Sequence, residues 1–131
     1  MNNFKCPHCN TNLNVNNHLV LTAEKPNGEK GIILMNPVLG NYNASHHPDF
    51  KPAEGEAHTF LCPACNTTLT SDKSDKLAHI QMEDEEGNVF DIFFSRIKGE
   101  ESTYRIIGET VETFGEDKQK YVNFFNLSQL T

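Results

Sequence analysis

Phe4-Lys5-Cys6-Pro7-His8-Cys9-Asn10-Thr11-Asn12-Leu13 returns 56 residues later as Phe60-Leu61-Cys62-Pro63-Ala64-Cys65-Asn66-Thr67-Thr68-Leu69, with seven of the ten positions identical and no gap. Self-similarity of this kind marks one supersecondary unit used twice. In each copy two residues separate the cysteines, so both sulfurs of a tight turn can face one point. Pro7 and Pro63 pre-set the backbone dihedral just after the first cysteine, which lowers the entropy lost on ordering the turn. Asn10 and Asn66 follow the second cysteine, where such a turn needs a left-handed residue, and Asn adopts that conformation most readily after Gly. A turn built this way aims backbone N–H groups at the sulfurs and offsets their charge.

Structural zinc takes four tetrahedral ligands, and thiolate sulfur at about 2.3 Å is a favoured choice. Two hairpins approaching from opposite sides complete that set, so the pattern predicts a closed site of Cys6, Cys9, Cys62 and Cys65 holding one Zn2+. Within residues 4–13 and 60–69 the chain resembles the zinc-ribbon family and the rubredoxin-like knuckle that ribbons share. The resemblance implies that these four cysteines are the ligands. It departs from the family in spacing, since 52 residues separate Cys9 from Cys62 where a compact four-cysteine site has roughly 15–20. A ribbon with a large insertion, or two hairpins meeting within a larger sheet, accommodates the difference.

Three other chemistries compete for the same cysteines. A pair of disulfides fits the count but belongs with an oxidising compartment. Cys6-Pro7-His8-Cys9 is the tetrad of strongly oxidising thioredoxin-fold proteins, yet that motif follows a strand and opens a helix, and the second copy replaces His8 with Ala64. Iron in the same sulfur tetrahedron would make an electron carrier. Histidines offer a second cluster: His46, His47, Asp49 and His58 lie in or beside a Pro- and Gly-rich stretch. Adjacent residues on an extended chain point to opposite sides, and no His-x3-His or Glu-x2-His spacing makes these converge.

Composition narrows the function classes. The net charge is −7, and residues 61–131 hold 13 acidic against seven basic side chains. Such a surface is repelled by phosphate backbones, and neither knuckle supplies a basic patch, so nucleic acid is an unfavoured partner. No stretch approaches the roughly 18 apolar residues of a membrane span, and Met1 to Cys6 lacks the charged-then-apolar order of a secretory signal. A cytoplasmic location is the expectation. No nucleophile elbow, phosphate loop, dinucleotide fingerprint or metalloprotease helix is present.

The rest of the chain reads as mainly β. His18–Thr22 and Gly31–Met35 flank a turn containing Pro26-Asn27-Gly28, which predicts a hairpin. Leu77–Met82 and Val89–Phe94 flank Gly87-Asn88 and predict a second. Further strands are expected at Thr103–Ile107, Glu109–Phe114 and Lys120–Phe125. Residues 36–56 read as a long irregular loop and Ser71–Ala78 as a short helix capped by Ser71 or Asp72. The expected architecture is a zinc-ribbon-like module over residues 1–70, with an inserted hairpin and loop, and an antiparallel β layer over 71–131 packed on it. The function this suggests is a structural zinc protein, non-catalytic, meeting a protein partner. A nucleic-acid-associated ribbon and a rubredoxin-like iron carrier are the alternatives.

Overall fold

β-Branched and aromatic residues in short runs, punctuated by Gly, Pro and Asn, give ten strands in a computed structural model that describes residues 2–122. They are β1 (Asn3–Lys5), β2 (Asn14–Val15), β3 (His18–Glu24), β4 (Lys30–Met35), β5 (Ala44–His46), β6 (Thr59–Leu61), β7 (Leu77–Glu83), β8 (Val89–Ser95), β9 (Thr103–Ile107) and β10 (Thr110–Phe114). Every pairing is antiparallel. One sheet runs β1-β7-β8-β9-β10; the other runs β2-β3-β4-β5, with β6 also paired to β3. The expected mainly β class holds, as do both hairpins.

The repeat extends well beyond the ten residues that reveal it. Residues 18–46 match residues 77–105 at an offset of 59 in every register. Leu21 faces Ile33 as Ile80 faces Ile92, and Ile33 faces His46 as Ile92 faces Arg105. The turns match as well: Lys25 N–H donates to Glu29 O and Asp84 N–H to Asn88 O, while Asn36 N–H donates to Asn43 O and Ser95 N–H to Ser102 O. Only four of these 29 positions are identical: Glu24/Glu83, Gly28/Gly87, Ile33/Ile92 and Gly40/Gly99. The two glycine coincidences have a cause, since Gly28, Gly87, Gly40 and Gly99 all sit at φ between 87° and 97°, where a Cβ is strained. The offset grows from 56 to 59 because the Asn16-Asn17 reversal, at φ 49° and 66°, is replaced in the second copy by the longer segment 71–76.

The two repeats exchange their first strands. β1 of the first pairs with β7 of the second through Phe4↔Met82, and β6 of the second pairs with β3 of the first through the equivalent Phe60↔Ala23. Neither repeat therefore completes its own sheet. Side chains alternating inward from both sheets form one core, in which Phe4, Leu21, Ile80, Met82 and Ile92 are each at most 1% exposed. β10 has no counterpart in the first repeat. It extends the sheet whose outer face carries a second cluster of Leu77, Phe93, Tyr104 and Tyr121.

Two expectations are corrected. Residues 36–56 are not one irregular loop, because Ala44–His46 is β5, fixed by register with β4 rather than by any apolar alternation of its own. Ser71–Ala78 is not helical: Leu77 and Ala78 are drawn into β7 opposite Ser95 and Phe94. Ser71 and Ser74 serve as local turn formers, their hydroxyls accepting from Lys73 N–H at 2.9 Å and Lys76 N–H at 3.2 Å, a role that competes with helix capping. Of the strand expected at Lys120–Phe125, residues 123–125 lie outside the described residues, and 120–122 are a turn.

One packing detail separates the repeats. Phe90 of the second packs against the core; its equivalent, Gly31, has no side chain, and the Phe50 ring lies where one would project, 2.5 Å from an ideal Cβ. Lys25 Nζ sits 4.8 Å above that ring. Gly31→Ala should therefore destabilise the protein by about 1–3 kcal/mol through overpacking, read as a shift in urea midpoint at unchanged m-value; an unshifted midpoint would show that Phe50 yields freely.

Candidate metal centre

Each knuckle is built by three backbone hydrogen bonds. In the first, Cys6 N–H donates to Thr11 O, Asn10 N–H to Cys6 O, and Leu13 N–H to Phe4 O, at 3.0, 2.9 and 2.7 Å. In the second, Cys62, Asn66 and Leu69 repeat them onto Thr67, Cys62 and Phe60 at 3.1, 2.9 and 2.8 Å. Asn10 and Asn66 are left-handed, at φ 64° and 61°, as the sequence predicts. The conformation turns two amides per knuckle onto the first sulfur: His8 and Cys9 N–H lie 3.3 and 3.5 Å from Cys6 Sγ, and Ala64 and Cys65 N–H lie 3.3 and 3.5 Å from Cys62 Sγ.

The strand exchange brings the knuckles together. The four Sγ atoms all lie within 4.8 Å of one another, with Cys6 to Cys65 at 3.8 Å and Cys9 to Cys62 at 3.7 Å. Those two contacts are equivalent under the repeat. A regular tetrahedron with metal–sulfur bonds of about 2.3 Å has sulfur–sulfur edges of about 3.8 Å. The two short edges meet that value, and none of the four cysteines is in a disulfide. A four-sulfur donor set of this size fits one tetrahedral ion.

Burial divides the four thiols. Cys6 and Cys62 are fully enclosed and Cys9 is exposed. In the absence of a cation, burial pushes the Cys6 thiol up to about 12 and raises that of Cys62. The Thr11 hydroxyl, 3.0 Å from Cys9 Sγ, lowers the pKa of that thiol, and the Thr67 hydroxyl at 3.3 Å lowers Cys65 to about 6. Both effects have the same cause: a thiolate needs hydrogen-bond donors or a positive charge nearby. A divalent ion supplies the charge that the two enclosed sulfurs lack, so metal capture here displaces protons. These threonines belong to the repeat, but the spacing of the sequence does not display their contact with sulfur.

The other sequence candidates do not converge. Among the described residues the four cysteines are the only cluster of metal-ligating side chains. His58 is buried, its Nε2 is 2.8 Å from Glu56 Oε1, and its ring packs between Phe50 and Phe60. His47 and Asp49 form an exposed pair at 3.7 Å. His8 is exposed in its turn. Lys5, beside Cys6, is turned to Glu83 at 2.7 Å rather than to the sulfurs. A pair the sequence did not disclose is His79 with Asp91, 2.8 Å apart across β7 and β8, with the imidazole stacked on Phe93.

No family model, curated protein or solved structure matches the chain. The likeness to zinc ribbons therefore rests on the two hairpins and the meeting of their sulfurs. Among the described residues no helix is long and apolar enough to cross a membrane.

The left-handed asparagines set the knuckle geometry. Asn10→Ala and Asn66→Ala should each cost about 1 kcal/mol, whereas Asn10→Gly and Asn66→Gly should be close to neutral, as read by denaturant unfolding with metal bound. Equal losses for Ala and Gly would mean that the Asn side chain, not the backbone angle, is what the turn requires.

Proposed function

We propose that the chain is a structural zinc protein in which one Zn2+, held by Cys6, Cys9, Cys62 and Cys65, ties the two repeats together, and that it works as a non-catalytic, cytoplasmic interaction or adaptor module. The observation that carries the reading is the convergence of two symmetry-related sulfur pairs with amides directed at the enclosed sulfurs. Four protein ligands fill a tetrahedron, which is the mark of a structural rather than a catalytic zinc site. An all-thiolate site suits both metals; zinc is favoured over iron because the chain has no Trp, which the aromatic core around a rubredoxin-like iron usually includes, and because Cys9 is open to solvent.

Support for a docking role comes from comparing the two outer sheet faces. In β7–β9 that face is covered around Phe93, Tyr104 and Tyr121. The equivalent positions of β3 and β4 carry Val20, Thr22, Ile32 and Leu34, and Ile32 is 49% exposed. Apolar side chains left open at such a place suit a protein partner.

Elemental analysis of the purified chain should find one equivalent of zinc. Cys62→Ser should lose the metal together with the cooperative thermal transition, since zinc binding contributes about 10–16 kcal/mol to the folding of isolated zinc peptides. One equivalent of iron would redirect the reading to electron transfer, and a Cys62→Ser variant with unchanged melting and metal content would remove the metal from the account.

A further inference from the structure

A second feature created by the repeat has no place in the metal reading. Between the two sheets lies a cavity of about 540 Å³, within the roughly 300–1,000 Å³ range of small-molecule sites. Its floor is apolar and drawn from both repeats, with Phe4 and Ile33 from the first and Phe60, Ile92 and Phe94 from the second. Its rim is formed by equivalent segments, residues 36–44 and 95–101 with Thr103. The rim is braced: Tyr42 OH lies 2.8 Å from Thr103 Oγ1 and donates to Phe114 O at 3.3 Å. A cavity held open in this way does not have to order its walls when it is filled.

We propose that this cavity binds a small, neutral, apolar molecule. The chemistry of the rim selects the class. Five carboxylate, guanidinium or ammonium side chains line the cavity, Glu54, Arg96, Lys98, Glu100 and Glu101, together with the imidazoles of His46 and His58. Arg96 spends its Nε on His58 O at 2.8 Å, one terminal nitrogen on Thr59 Oγ1 at 3.1 Å and the other on Asp75 O. Lys98 is paired with Glu54 at 3.1 Å. Glu100 accepts from Ser95, Lys120 and Tyr121. The guanidinium and ammonium that could clamp a carboxylate or phosphate are thus already committed, while His58 Nε2 lies 2.8 Å from Glu56 Oε1 and His46 Nδ1 lies 2.9 Å from His47 O. Of the three lining carboxylates, only that of Glu101 has no cationic partner among the described residues, and it repels anions. Water against the apolar floor finds few hydrogen-bond partners, so its displacement by an apolar body is favourable.

The test is a fluorescence titration of the intact chain with N-phenyl-1-naphthylamine, a neutral apolar dye, against the anionic 1-anilinonaphthalene-8-sulfonate. Saturable binding of the neutral dye at one equivalent is expected, with the anionic dye at least about tenfold weaker. Ala44 lies opposite Met35 in the β4–β5 register, on the cavity side. Ala44→Trp should therefore weaken the neutral dye by about tenfold or more while melting temperature and metal content are retained, and Leu39→Trp serves the same purpose if the first variant does not fold. Ile32→Ser, on the outer face, should leave binding unchanged. Absence of saturable binding, equal or tighter binding of the anionic dye, insensitivity to both plugging variants, or loss of binding in Ile32→Ser would each overturn the proposal. None of these outcomes depends on which metal the cysteines hold.

Discussion

Four sulfurs held within 4.8 Å of one another cannot all be thiolates unless something positive sits among them. Like charges at such a separation repel, most strongly where water is excluded, and Cys6 and Cys62 are fully enclosed. Protons or a cation must intervene. Protons leave two thiols whose burial raises their pKa beside two whose neighbours lower it, whereas a dication serves all four at once. The geometry of the knuckles, with left-handed asparagines and amides turned to the enclosed sulfurs, is already that of the ionised site.

The constraint reaches the whole fold through the exchange of first strands. β1 belongs to the first knuckle but to the second repeat's sheet, and β6 does the reverse. Each knuckle is therefore anchored to the opposite repeat, and a metal between the knuckles closes a cross-link across the core instead of stapling a local loop. Hydrophobic residues make up only 37% of the chain and there is no Trp. A protein with that modest apolar content gains from a tie between its two halves. The same near-symmetry that joins the sulfurs also leaves the opposed sheets lining one cavity, with equivalent turns as its rim.

Much of this was legible in the residues, and what was hidden had a physical reason. The knuckles could be read because their chemistry tolerates few substitutes: thiolates for the metal, Pro for the turn, Asn for positive φ. The hairpins could be read because Gly28 and Gly87 mark reversals that other residues fill at a cost. The longer duplication was hidden because a strand needs only inward apolar side chains, and Leu21/Ile80 or Ala23/Met82 satisfy that with no identity retained. β5 escaped notice for a related reason: Ala44, Ser45 and His46 are exposed, and their strand exists through pairing with Leu34 and its neighbours. Ser71 resembles a helix cap but acts, as Ser74 does, as a turn former ahead of β7. The His79–Asp91 pair and the contacts of Thr11 and Thr67 with sulfur depend on registers and turns that sequence spacing does not display.

X-ray absorption at the zinc edge of the purified protein addresses the central claim most directly, because it counts and identifies the atoms bound to the ion. Four sulfur neighbours at about 2.3 Å, with no nitrogen or oxygen in the first shell, are predicted. A shell of two sulfurs completed by lighter atoms would show that the knuckles bind metal separately, and would contradict the account.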